Sequence, residues 1–145
     1  MTIIQANLSH LDHIATLFDQ YRVFYRQASD LEAAKTFIKT RLEKEDTIIL
    51  LAYAEDKPVG FSQLFHTFSS VSMQPLFILN DLFVNENYRK QGFGVALLNK
   101  SKNLCKMHRY KGIALQTETT NPAQELYESQ GWTLDKALQY FWINH

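Results

Sequence analysis

Asp81-Leu82-Phe83-Val84-Asn85-Glu86-Asn87-Tyr88-Arg89-Lys90-Gln91-Gly92-Phe93-Gly94-Val95 decides how this chain folds. The segment leading into it, Leu76–Val84, is a nearly continuous apolar run broken only by Asn80 and Asp81. Such a run suits a central strand buried on both faces. Beyond it, Val95–His108 carries Ala96, Leu97, Leu98, Leu104, Cys105 and Met107 and reads as a long helix. Glycines between the two allow turns that a Cβ forbids and let the backbone approach a ligand. The first turn of a helix offers unpaired N–H groups and the positive end of its dipole. The loop is therefore either an anion site for phosphates, with Arg89 and Lys90 adding charge, or an ordinary tight turn. Two other phosphate motifs fail by inspection. The dinucleotide fingerprint needs a small residue where Leu97 stands. The only Lys-Ser pair, Lys100-Ser101, follows Asn99 instead of a glycine.

Upstream, Thr47–Tyr53 and Val59–Phe68 read as a hairpin around the polar turn Glu55-Asp56-Lys57-Pro58. Thr2–Gln5 is a short first strand. Ser9 is placed to cap a helix, with Asp12 in the acidic position of a capping box and Leu11, Ile14, Leu17, Phe18 and Tyr21 on one face. Ser29-Asp30-Leu31-Glu32 repeats the pattern and opens a second helix. Downstream, Ile113–Glu118 is a strand. Asn121 as cap, Pro122 at the first helical position and Gly131 as stop bracket a short helix, Ala123–Gln130. Trp132–Leu134 and Leu138–Asn144 read as closing strands. The order β-α-α-β-β-β-α-β-α-β-β is an α/β plan with a mixed sheet, not a regular βαβ alternation.

Composition narrows the function classes. With 145 residues, 46% apolar, the chain suits one domain with one core. Fifteen basic residues balance fifteen acidic ones, so the broad positive field of a non-specific nucleic-acid binder is missing, and no nucleic-acid partner is expected. One cysteine, Cys105, excludes an internal disulfide and any multi-Cys metal site, and no metal is expected. The N-terminal residues do not read as a signal peptide, and the longest apolar stretches are too short to span a bilayer. A cytoplasmic protein without a membrane partner is the expectation.

Arg89-x-x-Gly92-x-Gly94, preceded by Asp81–Val84, resembles the first signature of the GNAT N-acetyltransferase family. Asn121 through Trp132, with Tyr127 just before Gly131-Trp132, is similar to its second. The specific motifs cover roughly 81–132, and the element order matches over residues 1–145. The resemblance implies a single α/β domain. Its mixed sheet would hold six to seven strands, splayed between the fourth and fifth and flanked by about four helices. It also implies acetyl-CoA as cosubstrate. The backbone of Leu82, Phe83 and Val84 would hold the pantetheine arm like an added strand. The N–H groups of Gln91, Gly92, Phe93, Gly94 and Val95, with Arg89 and Lys90, would hold the pyrophosphate. Asn121 would bind the arm, and Tyr127 would serve as general acid toward the departing sulfur. The Val84 N–H would stabilise the oxyanion.

The acceptor is less legible. Leu79–Val84 is similar to the corresponding strand of spermidine/spermine and thialysine acetyltransferases, and small yeast histone and polyamine acetyltransferases are other relatives. Those polyamine enzymes carry an acid where this chain has Asn80, and a neutral amide cannot act as base. Asp81 is a candidate for catalysis or for drawing a cationic amine, and equally a structural carboxylate. Glu118 is a candidate for the acceptor cleft or an exposed strand end. Tyr21, Phe24 and Tyr25 either surround the acceptor by cation–π contact or form the core face of their helix. His66 reads as structural and Cys105 as a buried small hydrophobe.

The leading expectation is direct transfer of acetyl to a primary amine of a small molecule, such as a polyamine or amino acid. The alternatives are a protein lysine or N-terminal acceptor, or a non-catalytic acyl-CoA sensor. Dimers are common among similar proteins. The Tyr140–Ile143 stretch would supply a homodimer's exchanged strand, although core packing explains it as well.

Overall fold

A computed structural model describes residues 1–144. Five strands lie in chain order in one sheet: β1 (Thr2–Gln5), β2 (Thr47–Ala54), β3 (Lys57–Ser69), β4 (Gln74–Val84) and β5 (Ile113–Leu115). The first four pair antiparallel, and β5 joins β4 in parallel. Helices α1 (Leu11–Phe24) and α2 (Leu31–Lys44) link β1 to β2. Helix α3 (Phe93–His108) crosses from β4 to β5, and α4 (Ala123–Ser129) follows.

Period-two alternation in β2 divides the core into two layers. Ile48, Leu50 and Ala52 pack with Leu97, Leu98 and Leu104 of α3. Ile49 and Leu51 face the other way, onto Ile14, Leu17 and Phe18 of α1 and Ile38 of α2. In β4 the same alternation is reset partway. The register with β3 shifts between Gln63↔Asp81 and Leu64↔Leu79, so Asn80 is the extra residue of a bulge. Phe77 and Leu79 therefore face α3, whereas Phe83 belongs to the α1–α2 layer. That single residue determines where the side chain of Asp81 goes.

Helix starts differ from expectation by small shifts with clear causes. Asn7, not Ser9, is the capping residue, and it caps a 3-10 turn, Leu8–His10, that leads into α1: it accepts the Ser9 N–H at 2.9 Å, and its own N–H donates to His10 Nδ1 at 3.0 Å. Asn is among the best N-caps, and the His10 ring takes the place of a capping-box acid. Asp30 caps α2 by accepting the Ala33 N–H at 3.1 Å, while Ser29 Oγ donates to Asp19 Oδ2 at 2.6 Å.

The sheet is shorter at its C-terminal side than expected. β5 ends at Leu115 instead of Glu118. Neither Trp132–Leu134 nor Leu138–Asn144 is a strand, so the described residues form five strands and not six or seven. The apolar side chains from Leu134 onward stay open to solvent. Leu134, Leu138, Tyr140, Phe141, Trp142 and Ile143 are 65–87% exposed. Strand propensity reflects fit to a half-buried pleated surface, and without that surface it yields no strand.

Candidate active site

β5 pairs with β4 only over Phe77–Leu79, while β4 runs on to Val84. Beyond Leu79 the two strands part, opening a cleft of about 720 Å³. Leu82, Phe83 and Val84 line one wall of this cleft, with no strand paired to that edge among the described residues. An unpaired strand edge is a ready partner for an extended amide-bearing chain.

The Arg89–Val95 loop closes one end. Arg89, Lys90, Gly92, Phe93, Gly94 and Val95 line the cleft, whereas Gln91 does not and turns its amide to the Asn87 carbonyl at 3.3 Å. Gly92 sits at φ +90° and Lys90 at +62°, so the loop depends on left-handed turns. α3 begins immediately after Gly92, which places the unpaired N–H groups of its first turn at the cleft. The Phe93 ring is buried edge-on against Tyr88. Arg89 is used differently from expectation. Its Nε donates to the Val84 carbonyl at 2.9 Å, and its guanidinium stacks over Phe24 and Phe83 at 5.2 and 5.7 Å. It buckles the loop to the end of β4 as well as lending charge.

On the opposite wall, Asn121 and Tyr127 both line the cleft. Asn121 Oδ1 accepts the Ala123 N–H at 2.9 Å, which caps α4, and its Nδ2 donates to Tyr25 Oη at 3.2 Å. Burial, with Tyr25 nearby as the second cause, pushes the Tyr127 hydroxyl up to about 12, so it stays protonated at neutral pH. Tyr21 and Tyr25 pack edge-on at 5.0 Å, and Phe24 meets Phe83 across the cleft. These aromatics are both a core face and a cleft wall. Glu118 lines the cleft too, but its carboxylate accepts both bonds from Arg26 Nη2 at 3.1 Å, tying the α1–α2 loop to the segment after β5.

Thr117 is a residue that the sequence reading missed. It lines the cleft, and its hydroxyl is buried without a hydrogen-bond partner among the described residues. An orphaned hydroxyl in the wall suits a ligand amide. No motif signals it, because it lies between the end of β5 and Asn121. Together the loop, the free β4 edge, Thr117 and Asn121 fit a long chain with a phosphate end and amide groups.

Asp81 lies elsewhere. It lines a smaller cavity of about 300 Å³ against α1 and α2, together with Gln63, and neither lines the large cleft. Tyr21, Tyr25 and Asn80 line both cavities. Asp81 is 3% exposed. It accepts from the Gln63 amide, and from Asn80 Nδ2 at 3.0 Å. Burial raises its pKa, and the Gln63, Tyr21 and Asn80 donors pull the other way without cancelling that effect. Tyr21 is raised by burial first and by Asp81 second, and its hydroxyl donates to the Asn80 carbonyl at 3.3 Å.

Two further expectations hold. His66 on β3 meets Tyr110 Oη at 3.1 Å and lines neither cavity. Cys105 is buried among apolar neighbours of α3 and its thiol is raised by that burial, as a small core hydrophobe's would be. Among the described residues no helix is long and apolar enough to cross a membrane.

A family model described as an acetyltransferase (GNAT) domain matches residues 45–134, which include the free β4 edge, the Gly92 loop, Asn121 and Tyr127. YhfO of Bacillus subtilis (strain 168), named as an uncharacterized N-acetyltransferase, is 46% identical over 145 residues, 99% of this chain and 97% of that one. A probable acetyltransferase of Haemophilus influenzae is 28% identical over 142 residues, 97% and 96% of the two chains. Among solved structures, a probable acetyltransferase superposes with a TM-score of 0.92 at 35% identity, covering 100% of this chain and 98% of that one.

Proposed function

This chain belongs to the GNAT acetyltransferase domain family, and from that premise we propose that it transfers acetyl from acetyl-CoA to a primary amine of a small molecule. The observation that carries this reading is the meeting of two features in one cleft. The Gly92 loop lies at one end, and the buried, protonated Tyr127 lies on the wall facing the β4 edge.

In this reading the first-turn N–H groups of α3 bind the pyrophosphate, and the β4 edge with Thr117 and Asn121 binds the amide arm. Transfer forms an N–C bond and breaks the C–S bond, with the electron pair leaving on sulfur. The Val84 N–H takes the developing oxyanion. The Tyr127 hydroxyl donates to the sulfur. A phenol at about 12 holds its proton more tightly than an ordinary thiol, near 8.5. Tyr127 therefore acts first as a hydrogen-bond donor. Any proton it passes to the sulfur is restored to it from water, which also takes up the proton the amine loses. Asp81, which lines the smaller cavity and not the large cleft, attracts the cationic acceptor and does not touch the transferring atoms.

The test is thiol release from acetyl-CoA with a panel of primary amines. Release that requires both components supports the reading. Clear CoA binding with no release for any amine overturns it.

A further inference from the structure

Gln63 and Asp81 sit side by side on the α1–α2 face with unused acceptor capacity. Gln63 is 0% exposed, and its amide nitrogen donates to Asp81 Oδ2. That orientation leaves Oε1 buried with no partner among the described residues. A buried amide oxygen is rarely left so and calls for a donor. Asp81, when ionised, is also acceptor-only. No Lys or Arg among the described residues forms a salt bridge with it. Two adjacent acceptors with no ion pair of their own among the described residues face one cavity.

The rest of that cavity suits a cation with an aliphatic body. Phe18 is stacked between Phe37 at 5.6 Å and Tyr21 at 6.3 Å, and Tyr25 meets Tyr21 edge-on at 5.0 Å, so one aromatic cluster lines the cavity. Ring surface of this kind packs along an aliphatic chain and leaves its charge to the two acceptors. Arg22 also lines the cavity, with Nη1 held on the Ala28 carbonyl at 3.5 Å. Since Gln63 and Asp81 are absent from the large cleft, a cation resting on them is one wall away from Tyr127. That wall is Tyr21, Tyr25 and Asn80.

We infer that the smaller cavity is an ammonium subsite and that the acceptor carries at least two amines. One is anchored as a cation between Asp81 and Gln63 Oε1, and the other is presented to the cleft. A neutral amide beside the carboxylate lets the pair hold one positive charge without burying a second anion. This inference rests on the proposed amine acceptor and narrows its class.

The experiment titrates the CoA-bound protein calorimetrically with α,ω-diaminoalkanes of three to seven carbons and with the chain-matched monoamines. The matched diamine is expected to bind about tenfold or more tightly than its monoamine. That ratio should fall toward one in Asp81→Asn and Gln63→Leu, with Gln63→Met as a second variant should Gln63→Leu fail to fold. Equal affinities for diamines and monoamines overturn the inference, as does an unchanged ratio in folded variants. Tighter binding of a zwitterionic amino acid such as alanine overturns it in favour of Arg22 as the anchor. Selective diamine binding without thiol release supports the subsite and removes the transferase reading instead.

Discussion

Replacing Gly92 with Ala tests whether loop backbone geometry is what binds the cosubstrate phosphates. Gly92 sits at φ +90°, and an added Cβ meets only Met1 Cε, at 3.8 Å. The substitution causes no clash, so its cost is conformational. Holding an L-residue in that region costs about 1–2 kcal/mol. If the loop relaxes in the free protein, binding must restore it, and 1–2 kcal/mol becomes roughly 5- to 30-fold weaker CoA affinity. If the loop holds its shape, the same energy is lost from the unfolding free energy instead. Calorimetric CoA titration and urea unfolding together measure both shares, which should sum to that range. Gly131→Ala is the internal control. Gly131 sits at φ +85° with nothing within 4 Å of an added Cβ, and it does not line the cleft. It should lose comparable stability while keeping CoA affinity. Equal weakening of CoA binding in both variants refutes the reasoning. So does a Gly92→Ala protein that loses neither stability nor affinity.

Three other outcomes follow from named atoms. Thr117→Val should weaken CoA binding about tenfold without lowering stability, because it removes an unpaired buried hydroxyl that the ligand uses; unaltered affinity contradicts this. Burial raises the Asp81 carboxyl above its ordinary value of 3.8, so the native state holds that proton more tightly than the unfolded chain does. Stability is then lost as pH rises from 3.8 through the native value, and Asp81→Asn removes the loss. Urea unfolding at pH 4, 6 and 8 should show the variant gaining on wild type as pH rises, and a gain that shrinks contradicts the sign. Cys105 should react with a thiol dye no faster than the chain unfolds, and prompt labelling of the folded protein contradicts its burial.

The β4–loop–α3 unit was legible because each part carries a separate local signal. A two-sided apolar run marks β4, glycine marks the turn, and helical spacing marks α3. The cap and stop around α4 were legible for similar reasons, and Asn121 does accept the Ala123 N–H. Asp81 was visible as a polar break in a buried strand, yet its surroundings were not. The bulge at Asn80 sets which face its side chain occupies, and a bulge depends on how β4 registers against β3. Gln63 was missed for the same reason. A polar residue on a strand reads as outward-facing until the helix pair that covers it is known. Arg89 read as a phosphate ligand because charge is a sequence property, whereas its bond to the Val84 carbonyl depends on the path of the loop. The closing strands failed because strand-forming residues still need a half-buried surface to pack on, and those from Leu134 onward stay open to solvent.

Turnover by Tyr127→Phe is the most direct measurement of the central claim. The substitution removes one hydroxyl from the cleft wall and leaves the ring, which packs at 6.1 Å from Trp132. CoA affinity should stay within about twofold while amine-dependent thiol release falls by roughly 10²- to 10⁴-fold, the span for a lost acid catalyst. Turnover equal to wild type, or a drop matched by an equal loss of CoA binding, would contradict the assignment of Tyr127 to the departing sulfur.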